Sequence, residues 1–269
     1  MSSRRAGIAG TVALALVLLL PIAWGLTFDP VEGALRDSLR PPGFAFPLGT
    51  DHLGRDVLAR IAHGFLLDIG LSLLVVALSF GVGTALGMVA AEVAGGLDRA
   101  LSLLMDVTSA LPQIVVALIL AVHFGGGAGT LVIALAATGW VKYARIARAA
   151  TFSLREREFV MAARVAGSGR LALLRRHVLP HLLPLFGGLL ALQLGHTVLN
   201  IAALGFLGVG IQPPAPEWGA MIAEARPYLA RAPWLAIAPG VFLFALTALA
   251  LSLARALGRR RQAMGLTAW

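Results

Sequence analysis

Apolar residues in this chain are gathered into long unbroken runs, not into the alternations of half-buried soluble elements. A bilayer core about 30 Å thick takes roughly 20 residues of helix to cross. Runs of that order cover about 7–26, 69–94, 101–124, 131–150, 185–210 and 235–257. Only helices and closed barrels satisfy their backbone within lipid, so these runs predict an all-α polytopic membrane protein with six transmembrane helices. The first run follows Arg4-Arg5 as a secretory leader would, but a leader core is only about 7–15 residues and ends at small residues. Gly25-Leu26-Thr27-Phe28 is a poor cleavage site, so an uncleaved helix is expected.

Composition agrees: 58% of the 269 residues are hydrophobic and 13% charged, with a mean hydropathy of +0.85, too little polar surface to cover a globule. The absence of cysteine excludes a disulfide framework, a thiolate metal site and a cysteine nucleophile. Lys142 is the only lysine and is followed by Tyr143, so the Gly-Lys-Ser/Thr ending of a P-loop is missing. Any nucleotide-driven energy must come from another subunit. Placing the N-terminus inside puts 16 of the 22 basic residues in the cytoplasm, nine of them between Lys142 and Arg176. That distribution satisfies the positive-inside rule with both termini cytoplasmic. It also accounts for the arginine-rich face without a nucleic-acid partner.

The cytoplasmic segment at about 151–184 is the most informative polar stretch. Phe159, Ala162, Ala163 and Ala166 recur at helical spacing, Gly167-Ser168-Gly169 breaks the chain, and a second basic amphipathic stretch runs to Pro180. A helix, a glycine corner and a second helix would project a knob from the membrane. Periodicity alone is equally served by an interfacial hairpin whose arginines meet anionic lipid.

The run Ala162-Ala163, three residues, Gly167, ten residues, Val178-Leu179-Pro180 resembles the "EAA" loop of binding-protein-dependent ABC importer permeases. In that family the loop forms the coupling helix, seated in a groove of the cytoplasmic ATPase. The glutamate that names the motif is Met161 here, with Glu158 one turn earlier. Two outer segments extend the resemblance to the second permease of dipeptide, oligopeptide and nickel importers. One runs from Leu48 to Gly64 and the other from Phe206 to Met221. The resemblance covers nearly the whole chain in order, and it implies the type I importer permease fold.

Read as residues, Gly49-Thr50-Asp51 is a turn in which Thr50 or Asp51 can cap a short helix toward Gly64, with Arg55, Asp56 and Arg60 at ion-pair spacing. This segment either seals the outer mouth or touches substrate. Pro213, Pro214 and Pro216 hold the second loop extended. Glu217 and Trp218 begin a segment expected to re-enter the interface with its indole at headgroup depth. A structural plug and a docking site for a solute-binding protein are both open there. The chain divides at sequence level into 1–66, a helix with its extracytoplasmic segment, and 67–269, a five-helix core.

Polar groups inside the spans need protein or water around them. Gln193, His196, Thr197 and Asn200 lie on neighbouring turns of the fifth span, as a pathway lining or as helix-to-helix hydrogen bonding. Asp106 is expected to be a buried partner of Arg145 or Arg148, His123 to sit in the interface, and Gly81, Gly83 and Gly87 to permit close helix approach. His177 and His181 straddle Pro180, so no metal site is expected there. No hydrolase, metalloprotease or dinucleotide motif is present.

The resemblance implies a permease subunit with no cofactor of its own. Its partners would be a homologous second permease, two ATPase subunits holding ATP and Mg²⁺, an extracytoplasmic binding protein and membrane lipid, in the bacterial inner membrane. The cargo would be nickel or a metal chelate, toward which His196 and Met161 tilt, or a di- or oligopeptide. The rival class, a self-sufficient secondary transporter, would show inverted repeats and broken helices bearing ionisable ligands.

Overall fold

A computed structural model describes residues 2–263, almost entirely as helices. They are α1 (Ser2–Gly25), α2 (Val57–Val93), α3 (Gly95–Ala110), α4 (Gln113–Phe124), α5 (Ala128–Arg155), α6 (Glu158–Val165), α7 (Arg170–Leu173), α8 (Leu179–Phe206), α9 (Trp218–Glu224) and α10 (Trp234–Ala263). Four helical stretches are long and apolar enough to cross a membrane: Val57–Val93, Ala128–Arg155, Arg170–Phe206 and Trp234–Gly258. The apolar part of α1 runs over Leu14–Gly25 and buries Leu18 and Ile22 in the core it shares with α2, α9 and α10. Arg4, Arg5 and Arg259–Arg261 have side chains outside the described residues, as do residues 264–269 altogether.

Three expected elements differ. The span at 101–124 is two helices, α3 and α4, bent by 85°. The cause is Pro112, which has no N–H to donate and forces Leu111 to extended backbone (φ −90°, ψ 125°). The short outer helix toward Gly64 and the span at 69–94 are one 37-residue helix, α2, which passes residues 66 and 67 without interruption. The second helix of the knob likewise runs on into the fifth span. Residues 174–178 form π-type turns that carry the chain to Pro180 in the first turn of α8, where a missing N–H is tolerated.

Close packing of α2 on α5 sets the centre of the bundle. A Cβ at Gly83 would meet the Trp140 carbonyl and one at Gly87 the Ala144 carbonyl, so the two backbones touch where only glycine fits. Gly81 meets nothing within 4 Å and takes no part in this contact. Toward the α6 end of the bundle, Met88, Tyr143, Leu154, Leu174, Val178 and Phe186 form one buried cluster. Toward the α9 end a second cluster gathers Leu18, Ile61, Val198, Trp218 and Met221. Leu74, Leu78 and Val82 on α2, Ile119 and Val122 on α4, and Phe244 on α10 stay exposed, as lipid-facing positions do.

Candidate functional site

The knob of α6 and α7 is built on a Schellman turn. Gly167 N donates to Arg164 O and Ser168 N to Ala163 O, both at 3.0 Å, with Gly167 at φ +86°. Nothing lies within 4 Å of a Cβ built there, so glycine is demanded by backbone conformation and not by crowding. Val160 is the α6 residue that faces inward. Phe159, Met161, Ala162 and Ala166 are exposed, and Val165 is 90% exposed. The helical stripe read from the sequence is thus left mostly outward, with Ala163 half-buried. Glu158 is exposed beside it in the first turn of α6. Pro180 is exposed and Leu179 half-buried at the start of α8, where Phe159 stacks on His181 at 4.9 Å. Arg164 meets Glu92 at 3.0 Å and Arg155 Nη1 donates to Ala91 O at 2.5 Å, tying the knob to the end of α2.

At the opposite end of the bundle, where α2 begins, Asp51 gathers a buried charge network. Its Oδ2 accepts from Arg55 Nε and Arg60 Nη1, each at 2.6 Å, and its Oδ1 from the amides of Leu53 and Arg55 at 2.9 and 3.0 Å. Arg60 Nη1 reaches Glu224 Oε2 at 2.9 Å, joining the N-terminal segment to α9. Burial pushes the Asp51 carboxyl up. The Arg55 amide and the charges of Arg60 and Arg55 outweigh it and hold the group below the usual carboxylate range.

Two expectations change here. The cap of α2 is Asp56, accepting from Leu58 N at 2.8 Å, and not Thr50 or Asp51. Asp56 joins no ion pair, and its own burial raises its carboxyl pKa. Asp51 stands six residues before the first residue of α2, and its Oδ1 takes the amides of the intervening turn, Leu53 and Arg55, instead.

Glu217 and Trp218 are buried side by side. Glu217 caps α9, accepting from Gly219 N and Ala220 N at 2.7 Å each, and burial pushes its carboxyl up to about 7. A Cβ at Gly205 of α8 would strike this carboxylate. Trp218 donates from Nε1 to Ile61 O at 2.9 Å, its amide reaches Asp68 Oδ2 at 3.3 Å, and its ring packs on Phe65 and Phe242. The indole is fully buried in protein, where Ile61 O and the α2–α10 groove satisfy both its polar and its apolar parts.

A small polar cleft of about 20 Å³ lies at mid-bundle between α2, α4, α5 and α8. Gln193, His196, Thr197 and Asn200 all line it, with Ser79 and Lys142 across from them. Thr197 Oγ1 donates to Gln193 O at 2.8 Å, and Asn200 Nδ2 donates to Gln113 Oε1 at 3.1 Å. Helix-to-helix hydrogen bonding is thus supplied by Asn200, while His196 is exposed. Asp106 pairs with Arg145 at 2.9 Å as expected, yet it is 71% exposed, not buried. Arg148 takes Asp98 at 2.5 and 2.8 Å. His123 is exposed against the Phe124 ring.

Sequence reasoning missed Gln113, Lys142, Asp68 and Glu224 as members of these sites. Gln113 carried a usable signal, a polar residue just after the proline that interrupts an apolar run. Asp68 and Glu224 carried none, since their partners lie about 150 residues away in sequence.

Residues 83–263 match the family described as binding-protein-dependent transport system inner membrane component. The chain is 38% identical over 236 residues to the di/tripeptide transport system permease protein DppC of Pseudomonas aeruginosa (strain UCBPP-PA14), covering 86% of this chain and 78% of that one. It is 33% identical over 233 residues to the nickel transport system permease protein NikC of Escherichia coli (strain K12), covering 87% and 84%. Its fold is similar to a chain of the MetNI methionine ABC transporter in inward facing conformations, with a TM-score of 0.61 at 19% identity over 77% of this chain and 96% of that one.

Proposed function

Because this chain belongs to the family of binding-protein-dependent transport system inner membrane components, the permease subunits of ABC importers, we propose that its mid-bundle cleft is half of a solute pathway for a di- or oligopeptide, or for nickel or another metal chelate. The observation that carries this assignment is the cleft of Gln193, His196, Thr197 and Asn200, open to the surface of an otherwise apolar bundle. Polar groups there are costly unless they face water or protein, and weak, multiple contacts suit passage. An uncommitted imidazole at His196 and Met161 in the motif favour the metal-chelate side.

A homologous second permease supplies the facing half, and two ATPase subunits hold ATP and Mg²⁺. An extracytoplasmic binding protein delivers the cargo. Both termini lie in the cytoplasm of the bacterial inner-membrane assembly. The knob of Glu158, Met161, Ala162, Ala163 and Gly167, with Leu179 and Pro180 behind it, is the coupling element. Its exposed Phe159, Met161 and Val165 suit a groove on another protein. Closure of the ATPases moves the knob and, through the continuous α7–α8 helix, the cleft residues on α8. The buried networks around Asp51, Arg55 and Glu217 seal the outer end, with Asp56 and Trp218 fixing the helices that carry them.

Replacing His196 with Leu should lower uptake per assembled complex about tenfold, a transition-state loss of about 1.4 kcal/mol. Vanadate should block the uptake that remains. Unchanged uptake per complex, with a lower yield of complex, would make His196 a packing residue and remove it from the pathway.

A further inference from the structure

Lys142, Arg145 and Arg148 follow one another at three-residue intervals on α5, so they form a cationic stripe about one helical turn apart. The two nearer the cytoplasm each have a carboxylate on α3: Arg145 takes Asp106 and Arg148 takes Asp98. Lys142 has none. Among the described residues it makes no ion pair or hydrogen bond, and the α3–α4 side chains beside it, Thr108, Ser109 and Gln113, are all neutral. Lys142 is the fifteenth of the 28 residues of α5, one helical turn before Arg145, at the end of the stripe that turns into the bundle beside Ser79 and Gln193.

An ammonium against an otherwise apolar bundle is costly unless water or an anion reaches it. Lys142 is exposed and lines both the His196 cleft and the neighbouring cleft of Thr108 and Gln113, joining the two. We propose that Lys142 is the anion-recognising group of the pathway, a transient counter-ion for a carboxylate on the cargo. The site would therefore take solutes bearing a free carboxylate, either a peptide C-terminus or the carboxylates of a metal chelate. The proposal deepens the pathway assigned above and rests on it. A compact, strongly hydrated ammonium on a flexible stem suits a contact that must form and break, where a bidentate arginine fork would hold.

The cysteine-free chain allows a direct test in the assembled importer. With His196→Cys as reporter, reaction rates of an anionic sulfonatoethyl and a cationic trimethylammonioethyl methanethiosulfonate are measured, each normalised to its rate with a free thiol. The anion should be favoured about tenfold beside the Lys142 charge, and Lys142→Gln should bring the ratio to about one. A reporter that reacts with neither reagent defeats the pathway assignment. A reporter that reacts with both equally, whether or not Lys142 is present, leaves the pathway standing and overturns the proposal.

Uptake per complex is then followed with dialanine and with nickel–histidine as separate probes. Whichever is carried should fall at least about fivefold in Lys142→Gln and return to within about twofold in Lys142→Arg, which keeps the charge. Loss confined to one probe identifies the source of the carboxylate. Full uptake of the carried probe in Lys142→Gln overturns the proposal, and so does equal loss in Lys142→Arg, because a packing role and not the charge would then be at fault.

Discussion

Arg60 is the residue whose loss the outer end should feel most. Its side chain is 2% exposed, and a single nitrogen, Nη1, meets Asp51 Oδ2 at 2.6 Å and Glu224 Oε2 at 2.9 Å. Arg60→Met keeps much of the stem and deletes one of two cations that face two carboxylates. Breaking a buried pair by removing one partner costs about 3–5 kcal/mol, because the charge left behind has no counter-ion. Two features place this case at the lower end. Asp51 retains Arg55 Nε at 2.6 Å and two backbone amides. Arg60 Nε and Nη2 have no acceptor, so the native guanidinium already bears part of its own desolvation cost. Glu224, left 3.6 Å from Arg55 and 18% exposed, then carries most of the loss.

A destabilisation of about 3 kcal/mol is expected for Arg60→Met, read as a lower denaturation midpoint of the purified importer in detergent. Adding Glu224→Gln restores the charge balance and should recover about half of that loss, so the coupling in the double-mutant cycle is about 1.5 kcal/mol plus whatever Glu224→Gln costs alone. The reasoning is refuted if Arg60→Met melts with the native chain, or if the two losses simply add.

Three further outcomes are expected. Gly167→Asp puts a charge at the knob tip and a Cβ at φ +86°, a strain of about 1–2 kcal/mol. It should abolish coupled uptake with the chain still in the membrane, while Gly167→Asn, with similar strain and no charge, retains part of it; normal ligand-stimulated ATP hydrolysis in Gly167→Asp would disprove the docking role. Cysteines placed at Ala215 and Ser168 should be labelled from opposite sides of the membrane, Ser168→Cys only after permeabilisation, and labelling of both from one side would overturn the orientation. Because Glu217 is raised from 4.5 to about 7 in the folded chain, its contribution to stability is full below about pH 4.5 and is lost as pH rises through about 7. Melting followed across that window should decline in the native chain and flatten in Glu217→Gln, and an unchanged profile would assign the decline to another group.

Much of the architecture could be read from local pattern because lipid imposes a one-dimensional rule: a helix that crosses must be apolar along its length. The runs near 131–150, 185–210 and 235–257 became α5, α8 and α10 for that reason. Gly83 and Gly87 announced a close helix contact, and four polar residues at helical spacing announced one face of α8. The same rule failed at Pro112, since hydropathy counts residues and is blind to a backbone break that turns one run into two helices. It is equally blind at Trp218, whose ring is enclosed by a groove that α2 and α10 bring from elsewhere in the chain.

By itself, the sequence determined the spans, the charge asymmetry, the glycine corner of the knob and the polar face of α8, each a matter of residues within a few turns of one another. Only the tertiary structure decided which charges are matched. Asp51 and Arg60 close on Glu224, Arg145 and Arg148 find acids on α3, and Lys142 finds none. Partner choice among these charges depends on distances between helices about 40–165 residues apart in sequence. Those distances are set by packing, through contacts such as Gly83 on Trp140, and no local periodicity encodes them.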